Sequence, residues 1–469
     1  MQGLAMNLTD SFLSYFLPIE DPREDNHNRR HNFHDILVIT ILATICGANT
    51  WTEICEFGEA KIDWLQTFLE LPNGIPSHDT FGRVFSLIDS EKFETCFLSW
   101  IESLQIDVIN EIISIDGKTL RGSHDRSKGK KPLHLVSAWA SNNKILLGQV
   151  KTAEKSNEIT AIPELLEMIN VKDSIVTIDA MGCQQEIAKQ IVNQGADYVL
   201  SLKENQPTLY QDVVSIFQKA EQCKYKNMQH KQKLEKIKGH GRVEKRRYTL
   251  ITPREQQLFG LRWPHLRGLG MVEVSRRSTV TNEIENSTRF FLTSLDDGYE
   301  LCLMSDLPQG TLPEKGKMYV EKKGEELRCL VQDPNGNTVD FLLNIKIADL
   351  NPVTLRKNRL RILAETGKRG HTLREQDIDR FMQAVRKHWN VEINLHWSLD
   401  VSFQEDLNRV RIGDASENLA IVRRIALNLL KQEKTSKVGI TGRRKRAGWD
   451  NKYLLKVFNA DSQLKELAK

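Results

Sequence analysis

Apolar side chains recur at intervals of three and four through residues 1–108, as at Ile36, Ile39, Ile41 and Leu42 and again at Trp64, Leu65, Phe68 and Leu69. That spacing lines one face of a helix and predicts a helical N-terminal domain. The stretch LPNGIPSHDT at 71–80 interrupts it with Pro, Asn-Gly and Pro, and Ser77 or Asp79 suits the cap of a helix starting near Thr80. From Ile109 the period shortens: IISID (112–116), LHLVSAWA (133–140) and KILLGQV (144–150) read as a meander of strands. A helix over 158–170, a strand at IVTID (175–179), a helix over 184–193 and a strand at DYVLSL (197–202) follow. Strand–helix–strand alternation predicts that these later strands add in parallel. Three more strands are expected at 242–250, 269–277 and 289–295, forming a β accessory layer.

The pattern predicts an α/β chain with a mixed five-stranded sheet, three strands antiparallel and two parallel, flanked by helices in a ribonuclease H-like arrangement. Residues 299–376 depart from it, with turns at LPQGTLPEKG and DPNGN and strand-like KMYVEK, LRCLVQ and TVDFLLNI, and read as an inserted β-rich module. DPNGN is a hairpin turn and not a calcium loop, because its glycine stands fourth instead of sixth. Helical periodicity resumes from about Glu375 to His396 and from Glu417 to Gln432. The expected domains are therefore 1–108, 109–298, the insertion 299–376, the continuation of the core at 377–440 and a basic tail at 441–469.

A chain of 469 residues exceeds one ordinary domain of roughly 100–200. With a mean hydropathy of −0.43, and with its longest apolar run, Ile36 to Cys46, about half of the ~20 residues needed to cross a bilayer, no membrane is expected. No secretory leader is evident, which points to the cytoplasm. The seven cysteines are scattered without a CxxC, so neither a disulfide framework nor a zinc ribbon is indicated. The net charge of +4 hides an asymmetry: residues 224–247 hold ten Lys or Arg against only Glu235 and Glu244. A polyanion is the natural partner of such a segment. A second basic run, Arg443 to Arg446, reads either as a further polyanion contact or as a solvated face.

Asp116 closes a strand in IDGK and Asp179 closes another in TIDAMG. In the expected sheet these strands are neighbours, and two carboxylates at one edge suit Mg²⁺ or Mn²⁺. Completed by a third acid, such a pair holds two ions about 3.5–4 Å apart for chemistry at a phosphodiester. Taken alone, either aspartate could instead cap a turn. IDGKT is not a nucleotide loop, since the required glycine is replaced by Ile112. His27, His31 and His34 lack an acid or cysteine at ligand spacing, and a solvated or DNA-facing role fits them.

RRHNFHDIL, GIPSHDTFGRVFS, IDGKTLRGS, TIDAMGCQ, YVLSLKENQ, GHGRVEKR, RKHWNVEINLHWSLDVSFQED and NLLKQE together resemble the H-repeat-associated transposases of bacterial insertion sequences, members of the DDE superfamily. The resemblance covers nearly everything outside 299–376. It implies a DDE transposase that cleaves and transfers DNA strands at the element's terminal inverted repeats with two Mg²⁺ or Mn²⁺ ions, acting as a homodimer on double-stranded DNA and associating with the nucleoid. Asp116 and Asp179 match the first two catalytic, metal-binding acids and Glu392 the third. Lys203 and Arg386 are expected near substrate phosphates, and Arg242, Lys245, Arg246 and Arg247 on flanking DNA. Where the superfamily places a Tyr, an Arg and a Lys around the glutamate, Val385, His388 and Leu399 stand here, with Arg386, Lys387 and His388 as replacement phosphate contacts. Glu244, the competing third acid, is expected in an ion pair with its strand neighbour Arg242. The alternative function is a transposase-derived DNA-binding protein without catalysis.

Overall fold

The computed structural model describes residues 12–25, 29–124, 131–152, 157–226, 228–239, 241–252, 263–295, 300–303, 310–312, 317–323, 326–332, 338–343 and 375–460. Its main elements run in the order α1 (Phe33–Cys46), α2 (Trp51–Ala60), α3 (His78–Leu87), α4 (Ser90–Ser103), β1 (Ile112–Leu120), β2 (Leu133–Ala140), β3 (Ile145–Lys151) and α5 (Glu158–Met168). Then come β4 (Ile175–Ile178), α6 (Gln185–Asn193), β5 (Asp197–Leu202), α7 (Pro207–Gln222), β6 (Gln229–Gly239), β7 (Arg242–Thr252), β8 (Gly268–Ser278) and β9 (Ile284–Thr293). The strands β10 (Glu300–Leu303), β11 (Lys317–Lys323), β12 (Glu326–Gln332) and β13 (Thr338–Leu343) precede α8 (Glu375–His388), a π-helical turn at Val391–His396, α9 (Trp397–Ser402), α10 (Ala415–Gln432), α11 (Ile440–Trp449) and α12 (Asn451–Phe458). The chain is thus mixed α/β. It divides into two compact units, Met1–Asn170 with Lys387–Lys469, and Val171–Arg386, a division that cuts through the expected 109–298 core.

In the first unit the helices are built around α1 and α10, both buried along almost their whole length. The buried threonines of α1 satisfy their hydroxyls within the helix. Thr40 and Thr44 donate back to the carbonyls of Ile36 and Thr40, each at 2.7 Å. Burial overrides the modest helix propensity of the β-branched residues in ILVITILATIC. Gly47, at φ 118°, lets α1 end in a left-handed cap. Ser77, not Asp79, caps α3 by accepting from Thr80 N at 3.3 Å. The strands pair antiparallel in the order β3-β2-β1. Asn428 of α10 serves the β3 backbone as a partner strand would, accepting from Leu146 N at 2.9 Å and donating to Leu146 O at 3.0 Å.

The expected basic tail is folded helix as far as residue 460. Arg444 is buried, lies over the Phe403 ring at 4.1 Å, and donates to the carbonyls of Thr44 (2.9 Å), in the last turn of α1, and Ala48 (3.2 Å), just beyond it. Arg443 donates to the carbonyls of Leu430 (2.7 Å) and Ser436 (2.6 Å). Half of the RRKR run is therefore spent on backbone oxygens, and neither reading of it as a polyanion contact or a solvated face holds for Arg444.

In the second unit β4 and β5 pair in parallel through α6, and β5 then pairs antiparallel with β9, continuing in the order β9-β8-β7-β6. Gly270 of β8 makes room for Phe381 of α8, because a Cβ there would run into the ring. Strand β6 was not among the expected elements: its lysines alternate with Gln, Leu and Ile in a sequence that carries no apolar face. It lies at an edge, where lysine is well tolerated. Residues 300–343 contribute β10 to β13, a separate four-stranded sheet. The DPNGN turn lies outside the described residues.

Candidate metal centre

Strand β1 does not stop at Asp116, as expected from sequence, but pairs with β2 as far as Leu120, because Lys118 and Leu120 keep the inward alternation going. Alternation puts Ser114, Asp116 and Lys118 on one face. Each meets the segment 387–406 in turn. Ser114 Oγ donates to Lys387 O at 3.1 Å. Asp116 Oδ2 stands 3.5 Å from His396 Nδ1. Lys118 Nζ pairs with Asp400 at 2.6 Å and Asp406 at 3.2 Å. On the opposite face Gly117 is required by close approach, since a Cβ would collide with the His134–Glu158 pair, itself 2.9 Å long.

Glu392 is the second residue of the π-helical turn and His396 its last, with Trp397 N donating to Glu392 O. The longer turn breaks the continuous helix expected over 375–396. It brings Glu392 Oε2 to 3.8 Å from His396 Nδ1. One ligand atom from each of Asp116, Glu392 and His396 lies within 4.8 Å of the others. Burial, followed by the nearby Lys118 and Arg424, holds the His396 imidazole down to about 3, so the ring is neutral. Burial raises Asp400 against the opposing pull of Lys118. His396, Lys118 and Asp400 were not identified as site residues from sequence; the signal available was the four-residue spacing of Glu392, His396 and Asp400 on one face.

Asp179 immediately follows β4, and its Oδ1 accepts from Met181 N at 2.9 Å and Gly182 N at 3.4 Å, a turn-capping arrangement. Its other oxygen has no protein partner among the described residues. It belongs to the second unit, whereas Asp116, Glu392 and His396 belong to the first.

The competing acid is in a different state. Glu244 is buried, and although burial opposes ionisation, Arg276 at 2.8 Å and Arg246 hold its carboxyl below the usual range. The expected partner Arg242 is instead exposed and makes no ion pair among the described residues, because Arg246 and the cross-strand Arg276 fill that face first.

A family model described as "Transposase DDE domain" matches residues 107–292, and one described as "DDE_Tnp_1-associated" matches 13–101. "Putative transposase YncI" of Escherichia coli O157:H7 is 33% identical over 457 residues, spanning 97% of this chain and 96% of that protein. "H repeat-associated putative transposase YhhI" of Escherichia coli strain K12 is 33% identical over 432 residues, spanning 91% and 92%. The chain belongs to the H repeat-associated DDE transposases. Transposases of the DDE class use divalent metal ions, and the hard oxygens of Asp116 and Glu392 suit such an ion.

In this transposase-family chain the expected DNA-contacting residues fall into two groups. Lys203, Arg242 and Lys245 are exposed and make no ion pair among the described residues. Arg246 is committed to Glu244, Arg247 to Glu273 at 2.5 Å, Arg386 to Glu235, and Lys387 to Asn142. His388 is half-buried, while Val385 and Leu399 are core residues. His31 and His34 are half-buried, and His27 lies outside the described residues. No single helix among the described residues is long and apolar enough to cross a membrane.

Proposed function

We propose that this chain catalyses divalent-metal-dependent cleavage and transfer of DNA strands at the inverted-repeat ends of an insertion sequence, with Asp116, Asp179 and Glu392 as its acids. The carrying observation is the convergence of Asp116 and Glu392, far apart in sequence, on one point beside His396. Two bound ions would activate a water or a 3′-hydroxyl and stabilise the leaving oxygen. The protein's own part is positional. Ser114 fixes the start of the glutamate-bearing segment through Lys387 O, and Lys118 anchors its far end through Asp400, so that Glu392 is held over Asp116 between two fastenings. Asp179, with one oxygen committed to the turn and the other open, is the remaining acid of the family's set.

The antiparallel β1–β3 and the parallel β4–β5 are the strand set of a ribonuclease H-like core, which supports that reading of the fold. Lys203, Arg242 and Lys245 are the cations available for phosphates, with Arg386, Lys387 and His388 nearer the glutamate in sequence. We infer a homodimer engaging two element ends, working in the cytoplasm at the nucleoid. The test incubates purified chain with double-stranded DNA carrying the element ends and Mg²⁺ or Mn²⁺. Strand cleavage that disappears with EDTA and in Asp116→Asn is the expected result. Specific binding without cleavage under any divalent ion would favour a transposase-derived DNA-binding protein.

A further inference from the structure

We propose that His396 is itself a metal ligand, its Nδ1 joining the carboxylates of Asp116 and Glu392 in a mixed nitrogen–oxygen site that favours Mn²⁺ over Mg²⁺. The inference rests on the metal-dependent reading above and deepens it, since the three acids of the family's set supply oxygen alone.

Three observations carry it. The first is distance: Nδ1 lies 3.5 Å from Asp116 Oδ2 and 3.8 Å from Glu392 Oε2, too long for good hydrogen bonds. Donors around one ion at about 2.1 Å sit about 3 Å apart when adjacent and about 4.2 Å apart when opposite, and the three atoms here fall within 4.8 Å. The second is the backbone. Glu392 and His396 lie within one π-helical turn, a rare and locally unfavourable conformation that concentrates at functional sites, and Asp116 stands opposite both. The third is the ring's surroundings. His396 is only 5% exposed, and its Nε2 has no hydrogen-bond partner among the described residues. The ring aims Nδ1 at two carboxylates, while the neighbouring cation, Lys118, is taken by Asp400 and Asp406.

The chemistry follows from the donor. Imidazole nitrogen is softer than carboxylate oxygen and suits Mn²⁺ and later transition ions, whereas Mg²⁺ prefers an all-oxygen octahedron. Replacing His396 should therefore weaken Mn²⁺ much more than Mg²⁺.

The measurement uses the full chain and Mn²⁺ alone, without DNA, with binding followed by electron paramagnetic resonance and the ligands by electron spin echo envelope modulation. Wild type should show nitrogen modulation from a bound imidazole, and growth on ¹⁵N-histidine should convert it to the ¹⁵N pattern, a result that needs no variant to fold. His396→Gln should lose the modulation and bind Mn²⁺ about 10–100-fold more weakly, the range seen when metal-site partners are removed. Its Mg²⁺ affinity should change by less than about 3-fold. Mn²⁺ bound in a manner abolished by Asp116→Asn but without histidine nitrogen modulation would overturn the role of His396 and leave the metal-dependent reading standing. Mn²⁺ binding indifferent to Asp116→Asn would overturn both.

Discussion

At the scale of single residues, the site is a set of side chains each held by a specific neighbour, and the same logic operates away from it. Glu94 on α4 has one carboxyl oxygen buried without a partner among the described residues and the other accepting from Gln149 at 2.9 Å. Burial pushes its pKa up to about 7, against the opposing pull of Gln149. A carboxyl raised in the folded state costs nothing below its unfolded value near 4.5, and its cost grows as pH rises to about 7. Glu94→Gln should thus raise the stability of the first unit by about 1–3 kcal/mol at pH 8 and leave it unchanged at pH 4.5, as read from denaturant midpoints at the two pH values. Equal effects at both would show that Glu94 is not the titrating group. Of the residues that the structure brings together, Asp116 and Glu392 were the more legible in sequence, because IDGK and HWNVE lie in recognisable blocks. His396 was less legible: a histidine on a helix has many ordinary uses, and only the placement of β1 reveals what it faces.

At the scale of elements, the β6–β7 hairpin shows why counting charges in a sequence is insufficient. Ten basic residues between Lys224 and Arg247 read as one surface, but strand alternation sorts β7 into two faces. Glu244 and Arg246 share one face with cross-strand Arg276, and Glu235 on that side meets Arg386. On the other, Lys236 stands opposite Lys245 and Lys238 opposite Val243, and these three lysines are exposed. Changing Lys236, Lys238 and Lys245 to Gln should lower the slope of log affinity for DNA against log salt by up to about 2–3, at roughly 0.9 per phosphate contact. Filter binding from 50 to 200 mM salt measures it, and an unchanged slope would remove this face from the DNA interface. Changing Arg246 should act differently, through folding, since it removes one of the two arginines that hold the buried Glu244. The sheet β10–β13 is the other element with a clear expectation. Replacing 299–376 by a short flexible linker should leave a chain that still unfolds cooperatively and binds DNA, whereas loss of cooperative unfolding would make that sheet part of the core.

At the scale of the whole molecule, the order of elements was readable because period-two and period-four patterns follow one another with turn signals between them. The division into units was not, since contacts between distant segments, such as Asn428 on β3 and Arg444 at the end of α1, leave no local trace. The central claim is that an acid from the late helical segment, and not the nearer Glu244, completes the catalytic set begun by Asp116. Glu392 is about half exposed and stands beside His396, while Glu244 is buried between two arginines. The direct measurement is metal-dependent nicking of element-end DNA by wild type, Glu392→Gln and Glu244→Gln, each first shown to bind that DNA. Glu392→Gln is expected to lose more than about 100-fold in cleavage, beyond the roughly 10–100-fold of an indirect partner, while Glu244→Gln still cleaves. Full cleavage by Glu392→Gln, or complete loss in Glu244→Gln alone, would contradict the central claim.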